Sequence, residues 1–236
     1  MEILALIPAR GNSIGISKKN IKNLAGKPLI SYTIKTAINC KKIDRVIVST
    51  DYKKIANIAK KFGADVPFLR PKKFAQKNTP SIDVIRHCLD FLKTSENYIP
   101  DIVVLLQPTS PIRDDSLIEA SIQKLKNSKS TSVISVSEVK THPDISFFLQ
   151  STFLKPLNPN FEKLSIRQTR KVLYHPTGAI YTFWSNNILK FNSIYGPKIK
   201  PIETEQEFNI DIDYLFDLFI AEMTLKNWKK YKKNNL

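Results

Sequence analysis

Cysteine, histidine and glycine are all scarce in this chain of 236 residues. Its two cysteines, Cys40 and Cys88, form no Cys-x-x-Cys spacing, which excludes a disulfide framework. Both fall in helix-like stretches, where a buried reduced thiol suits a reducing cytoplasm. The three histidines, His87, His142 and His175, show no His-x-x-x-His or mixed His/Cys spacing, so zinc has no ligand set. The six glycines form no three-glycine dinucleotide fingerprint, and no Gly-Lys-Ser/Thr follows at P-loop distance. A Gly-x-Ser-x-Gly elbow is missing too, which removes the commonest serine-hydrolase signature. No apolar run reaches the length of a membrane span, and the opening "MEILALIPAR" is too short and wrongly flanked for a signal peptide. Acids are outnumbered, 21 against 37 Lys and Arg, for a net charge of +16. That excess suggests an anionic partner. The cations are scattered, however, and the densest run, "KNWKKYKKNNL", reads as a solvated helix end. The aromatics show no interleaved stacking pattern, so no nucleic-acid partner is expected.

What the chain does have is alternation. "EILALIP" (2–8), "RVIVST" (45–50), "DIVVLLQ" (101–107) and "TSVISVSEV" (131–139) read as buried strands. Between them Ile30, Ile34 and Ile38 mark one helix, and Ile55, Ala59 and Phe62 a second. Ile82, Ile85, Leu89 and Leu92 mark a third, and Asp114 to Leu125 a fourth. Alternation at this spacing predicts a mostly parallel sheet with helices on both faces, where ligands bind beyond the carboxyl ends of the strands. From about Lys140 the rhythm breaks in a proline-bearing stretch that fits a small subdomain, a lid or an oligomer interface. Sheet-like sequence resumes at "GAIYTFW" (178–184), and "FNIDIDYLFDLFIAEM" reads as a strand running into a helix.

Four segments could carry chemistry. The first is "IPARGNSIGISKKN" (7–20), which leaves the first strand. Glycines there let backbone N–H groups face an anion, Ser13 adds a hydroxyl, and Arg10 and Lys19 can neutralise phosphate oxygens. The plain alternative is a glycine turn with solvated lysines. In "NIDID", Asp211 and Asp213 share one face of an extended segment and could hold a hard divalent cation; alternatively Asp213 caps a helix from Tyr214. "LLQPTSPIR" (105–113) ends a strand with Gln107, Thr109 and Ser110 between prolines, suited to a polyhydroxylated ligand or simply a stiffened turn with Asp114 as cap. Lastly, Arg70 in "FLRP" follows a predicted strand, and Thr79 or Ser81 could cap the next helix.

Taken together and in this order, "IPARGNSIGISKKNIKNLAGKPLISYTI", "VIVSTDYKKIANIAKKFGADVPFLRP", "TPSID", "VVLLQPTSPIR", "GAIY" and "NIDIDYLFDLFIAE" resemble the CMP-sialic acid synthetases, the acylneuraminate cytidylyltransferases. The resemblance covers most of the chain. It implies a three-layer, Rossmann-like α/β fold of the nucleotide-diphospho-sugar transferase type. One cytidylyltransferase domain would span 1–236, with a small dimerisation and sugar-binding element at about 140–177. It also implies a cytoplasmic homodimer that joins CTP to a 2-keto-3-deoxy sugar acid with Mg2+ and releases pyrophosphate. By position, Arg10, Ser13, Lys19 and Asn20 look like the triphosphate loop, and Arg70, Thr79 and Ser81 like further nucleotide contacts. Gln107, Thr109 and Ser110, with Arg167, Gln168 and Tyr181, look like the sugar-acid side. Asp211 and Asp213 look like metal ligands, and Arg10, Lys19, Asp211 and Asp213 carry the catalytic expectation.

Three departures stand out. The family loop usually reads Gly-Ser-Lys-Gly, and Ile14 takes the lysine's place here. Asn78 replaces a frequent aspartate. "YHPTGAIY" puts His175 and Thr177 where sialic acid enzymes carry Arg-Pro-Asn-Gly, which opens legionaminic- and pseudaminic-type acids. The enzyme alternative is a cytidylyltransferase for 3-deoxy-octulosonate, whose usual Ser-Thr-Arg and Pro-Gly-Lys-Pro loop is missing. A non-catalytic nucleotide- or nucleic-acid-binding protein is the alternative of another class.

Overall fold

The computed structural model describes all residues except Ile14, Arg167, Thr169 and Leu236, and the side chains of all the others but Ser165 and Asn235. In chain order the elements are β1 (Ile3–Pro8), β2 (Asn23–Leu24), β3 (Lys27–Pro28), α1 (Leu29–Asn39), β4 (Arg45–Ser49), α2 (Lys53–Lys61), α3 (Ser81–Glu96) and β5 (Ile102–Leu105). There follow α4 (Asp115–Lys126), β6 (Ser132–Glu138), β7 (Phe147–Gln150), β8 (Phe153–Pro156), β9 (Tyr174–Trp184), α5 (Asn187–Lys190), β10 (Ile199–Glu203) and α6 (Leu215–Asn235).

Six strands form one sheet in the order β10-β6-β9-β5-β1-β4. β1 lies between β4 and β5, parallel to both, and β10 runs parallel to β6. Only β9 is reversed against its neighbours β5 and β6. Leu4 to Ile7 of β1 are all fully buried, as a strand covered on both faces requires. Pleating divides them. Ile3, Ala5 and Ile7 pack with Ile30 and Ile34 of α1, Ile55 and Ala59 of α2 and Ile118 and Ile122 of α4. Leu4 and Leu6 pack on the opposite side with Ile85 and Leu92 of α3. The result is a sheet between two helical layers. Ile38, at the last turn of α1, faces outward.

The four strands expected from apolar runs are present, each within a residue or two. Asp114 caps α4 as expected, its Oδ1 accepting from the Leu117 backbone N–H at 2.9 Å. One expectation fails. The "NIDID" segment is not a strand: residues 206–209 make a 3-10 turn, and residues 210–213 join no ladder. It meets the sheet region through the Ile212 N–H to the Thr109 carbonyl at 2.8 Å and through Asn209 Nδ2 to His175 Nε2 of β9 at 3.2 Å. The stretch after Lys140 holds a two-stranded hairpin, β7 with β8, outside the main sheet.

Candidate active site

The loop after β1 is shaped by contacts rather than by regular structure. The Gly11 backbone N–H donates to Asp51 Oδ1 at 2.8 Å, and Asn20 Nδ2 donates to the Arg10 carbonyl at 2.9 Å. Gly15 has φ +84°, a conformation that L side chains rarely adopt, and a Cβ there would lie 2.4 Å from the Asp213 carbonyl oxygen. The loop therefore lies directly against the acid segment. Ile212 is fully buried with Ile16, Leu24 and Leu29, so its neighbours Asp211 and Asp213 turn together toward the opposite side. The spacing argument for paired carboxylates holds even though the segment is not a strand.

Lys19 closes this junction. Its Nζ donates to the Ile212 carbonyl at 2.6 Å and to Asp213 Oδ1 at 2.9 Å, while the residue is 6% exposed. A buried cation is tolerated only when paired and hydrogen-bonded, and Lys19 is both. Asp213 does not cap the terminal helix. That role falls to Asp217, whose Oδ2 accepts from the backbone N–H groups of Asp213 at 2.9 Å and Tyr214 at 2.7 Å. Asp217 stands at the third helical position and reaches back, the second half of a capping box. The Asp213 carboxylate is thereby left to Lys19 and the cleft.

Arg70 forms the opposite wall. It is 5% exposed, with Nη2 donating to the Ser49 carbonyl at 2.8 Å and Nη1 to the Phe74 carbonyl at 3.3 Å. Its Nε is buried without a partner. Burial pulls its pKa down to about 10, so it stays cationic at neutral pH. Arg10 Nη1 donates to the carbonyls of Gln76 and Lys77 at 3.1 and 3.2 Å, which joins the first loop to the segment before α3. Neither Thr79 nor Ser81 caps α3; Thr79 Oγ1 donates to the Lys73 carbonyl at 3.4 Å.

These parts enclose a cleft of about 420 Å³ beyond the carboxyl ends of β1 and β5. Arg10, Ser13, Lys19, Asn20, Arg70, Thr79, Ser81, Gln107, Thr109, Asp211 and Asp213 all line it. Other expected residues lie elsewhere. Ser110 is fully buried and its Oγ donates to the Thr177 carbonyl at 3.3 Å. Tyr181 packs in the core with Leu4 and Leu6 and stands edge-on to Tyr195 at 6.3 Å; burial raises its pKa to about 12. Its place on β9 explains this, since the strand is covered on both faces, with Ile180 packed on one side and Tyr181 and Phe183 on the other. Gln168 is exposed, and Arg167 lies outside the described residues. Thr177 is 3% exposed, with Oγ1 donating to Ser135 Oγ at 2.8 Å. His175 Nε2 meets Ser137 Oγ at 3.1 Å and Asn209 Nδ2 at 3.2 Å.

Sequence reasoning missed two residues that hold the site. Asp51 follows the buried strand β4 at its carboxyl end, a position that could have flagged it. Arg113 closes the quoted "LLQPTSPIR" but has no signal of its own. It is buried, and its Nη2 donates to the Gln107 carbonyl.

A basic loop facing an acid pair, across a cleft at the carboxyl ends of a mostly parallel sheet, defines an α/β nucleotidyltransferase. Comparison with known proteins narrows the class. The sequence profile described as Cytidylyltransferase matches residues 4–236, and the chain belongs to that family. It is 35% identical over 231 residues to CMP-N,N'-diacetyllegionaminic acid synthase of Legionella pneumophila, covering 96% of this chain and 97% of that one. With the pseudaminic acid cytidylyltransferase of Campylobacter jejuni it shares 30% identity over 226 residues, 96% of this chain and 97% of the relative. Among solved structures, a CMP:2-keto-3-deoxy-manno-octonic acid synthetase complexed with CTP superposes with a TM-score of 0.70. That match covers 96% of this chain and 99% of the other at 13% identity, a likeness of fold.

Proposed function

We propose that this chain transfers CMP from CTP to the anomeric hydroxyl of a nine-carbon 2-keto-3-deoxy sugar acid and releases pyrophosphate. The observation that carries the reading is convergence. A cationic loop, a polar Gln107–Thr109 wall and the Asp211/Asp213 pair meet on one cleft. Relatives named for legionaminic and pseudaminic acids, each at 30% identity or more across nearly the whole chain, support a nonulosonic acid over 3-deoxy-octulosonate.

The chemistry needs positioning and charge neutralisation rather than a covalent intermediate. The sugar's anomeric oxygen attacks the α-phosphorus in line as the bond to pyrophosphate breaks. Arg10 and Lys19, which line the cleft, would offset charge on the departing pyrophosphate. Ser13, Asn20, Arg70, Thr79 and Ser81 fit the nucleotide, and Gln107 and Thr109 the sugar acid. A Mg2+ ion suits the acid pair. No described side chain donates to Asp211, and Asp213 gives one oxygen to Lys19, so oxygens of both remain for a cation. Mg2+ commonly takes one or two carboxylates and completes its shell with water and phosphate. Among the described residues no group of three or more His, Cys, Asp or Glu forms a larger cage. Bound there, Mg2+ would polarise the α-phosphate and lower the pKa of the attacking hydroxyl.

The working unit we infer is a homodimer built on the 140–177 element. Leu149, Phe153 and Leu154 of the β7–β8 hairpin are 74, 78 and 65% exposed, a cluster of apolar side chains of the kind that marks an interaction surface. A second copy would cover it and could bring Gln168 to the sugar end of a cleft. Buried free cysteines fit the cytoplasm, and no described helix is long and apolar enough to cross a membrane.

The test is pyrophosphate release from CTP and Mg2+ with a panel of nonulosonic acids. Release that requires one of these acids supports the reading. Binding of CTP with no turnover on any of them, or salt-sensitive binding to random DNA instead, refutes it.

A further inference from the structure

We propose that Arg113 is a positioning residue: its buried guanidinium pins the Gln107 backbone and so aims the Gln107 side chain into the cleft. The inference rests on reading Gln107 as a sugar-acid contact.

Arg113 is 7% exposed and has no carboxylate within ion-pair distance among the described residues. A buried, uncompensated cation is costly, and an apolar side chain would fill the same space more cheaply. Burial alone lowers its pKa, to about 9, so the group is still charged at neutral pH. Its donors are committed to two points. Nη1 donates to Thr33 Oγ1 of α1 at 2.8 Å, and Nη2 donates to the Gln107 carbonyl at 2.5 Å. Its Nε is buried without a partner. The Gln107 carbonyl also accepts from the Ser110 backbone N–H at 3.3 Å, which fixes the turn.

The other end of Gln107 is confined as well. Gly178 has φ +75°, and a Cβ there would come 2.9 Å from Gln107 Oε1 and 3.0 Å from Ser110 Oγ. Gln107 is thus held at its carbonyl by a charge-assisted bond, while its side-chain oxygen lies where a side chain on residue 178 would crowd it. Through Thr33, the clamp refers the cleft wall to α1, which packs on the central strand. A planar fork that reaches an α1 hydroxyl and a loop carbonyl together is a task for arginine, and lysine cannot copy it.

Removing a buried cation risks the fold, so the primary variants are Thr33→Val and Thr33→Ser, with Gln107→Ala as reference. Thr33 is fully buried, and valine keeps its shape while taking away the acceptor. Turnover is measured with N,N'-diacetyllegionaminic acid, or with N-acetylneuraminate if the first acid is not turned over. Thr33→Val is expected to raise KM for the sugar acid about tenfold. CTP affinity and kcat should stay within about twofold, and Thr33→Ser should restore the parent KM. Amide exchange over residues 106–111 should quicken in Thr33→Val and not in Thr33→Ser. A role in stability alone would lower the melting temperature without this split. If Gln107→Ala raises KM for the sugar acid while Thr33→Val changes neither KM nor exchange, the clamp is wrong and the substrate reading stands. If Gln107→Ala leaves KM unchanged, the substrate reading of that wall fails and takes the inference with it.

Discussion

Gly15→Ala tests the junction between the loop and the acid pair. Two costs add at this position. The first is backbone: φ +84° puts an alanine in a left-handed conformation worth about 1–2 kcal/mol. The second is steric: the new Cβ would sit 2.4 Å from the Asp213 carbonyl oxygen, about 1 Å or more inside an ordinary contact. A carbonyl cannot rotate away as a side chain can, so Asp213 must shift and carry Asp211 with it. Together the two terms predict a loss of about 2–3 kcal/mol, or roughly 5–10 °C in a domain of this size. If Asp211 and Asp213 act as proposed, a displacement approaching 1 Å at their carboxylates predicts a fall in kcat of about 100-fold. Gly26→Ala is the control. Gly26 has φ +85° but nothing within 4 Å of where its Cβ would go, so it carries the backbone cost alone. Its turnover should match the parent's while its melting temperature falls by a few degrees. Pyrophosphate release and thermal unfolding measure both variants. Gly15→Ala turning over within about threefold of the parent, or Gly26→Ala losing as much kcat, would refute the reasoning.

Three further predictions follow from named groups. Asp211→Ala should abolish CMP-sugar formation with the fold intact by circular dichroism, and near-normal turnover would remove Asp211 from the catalytic set. The Glu207 carboxyl is pushed up by burial, but hydrogen bonds from Trp228 Nε1 at 2.6 Å and Lys232 Nζ at 3.0 Å outweigh that and hold it at about 2. Its native pKa lies below the unfolded value of about 4.3, so its stabilisation is full above that pH and is lost as pH falls toward 2. Glu207→Gln should flatten the acid limb of the stability curve in that window, and an unchanged limb would show the clasp is idle. Burial raises both thiols, Cys88 to about 12, so neither should react with a thiol reagent in the native protein at neutral pH, whereas both should after denaturation.

The sheet was legible because parallel strands covered on both faces must be continuous apolar runs, and β1, β4, β5 and β6 are such runs. β10 was not. Its sequence "IKPIE" carries a proline and two charges, which an edge strand tolerates but which erase the signal. "NIDID" misled for the converse reason. Ile212 buries itself against Ile16 and Leu24 rather than in the sheet, and alternation looks the same in both settings. The charged residues of the cleft were legible from type and position. What closes the site was not: Asp51 acts on a backbone group 40 residues away, which only the fold brings into reach, while Arg113 and Asp217 act on backbone groups 6 and 3–4 residues away. Tyr181 shows the limit in the other direction, because its segment matched the expected pattern while the pleat of β9 turned the ring into the core.

The central claim is that one cleft joins CMP to a nonulosonic acid. Phosphorus NMR of a single reaction containing the protein, CTP, Mg2+ and N,N'-diacetyllegionaminic acid or a related nine-carbon acid tests it most directly. The account predicts loss of the three CTP resonances with equimolar growth of pyrophosphate and one new phosphodiester, and no change when the acid is withheld. CTP left intact with every acid of the class, or consumed equally fast without one, would contradict it.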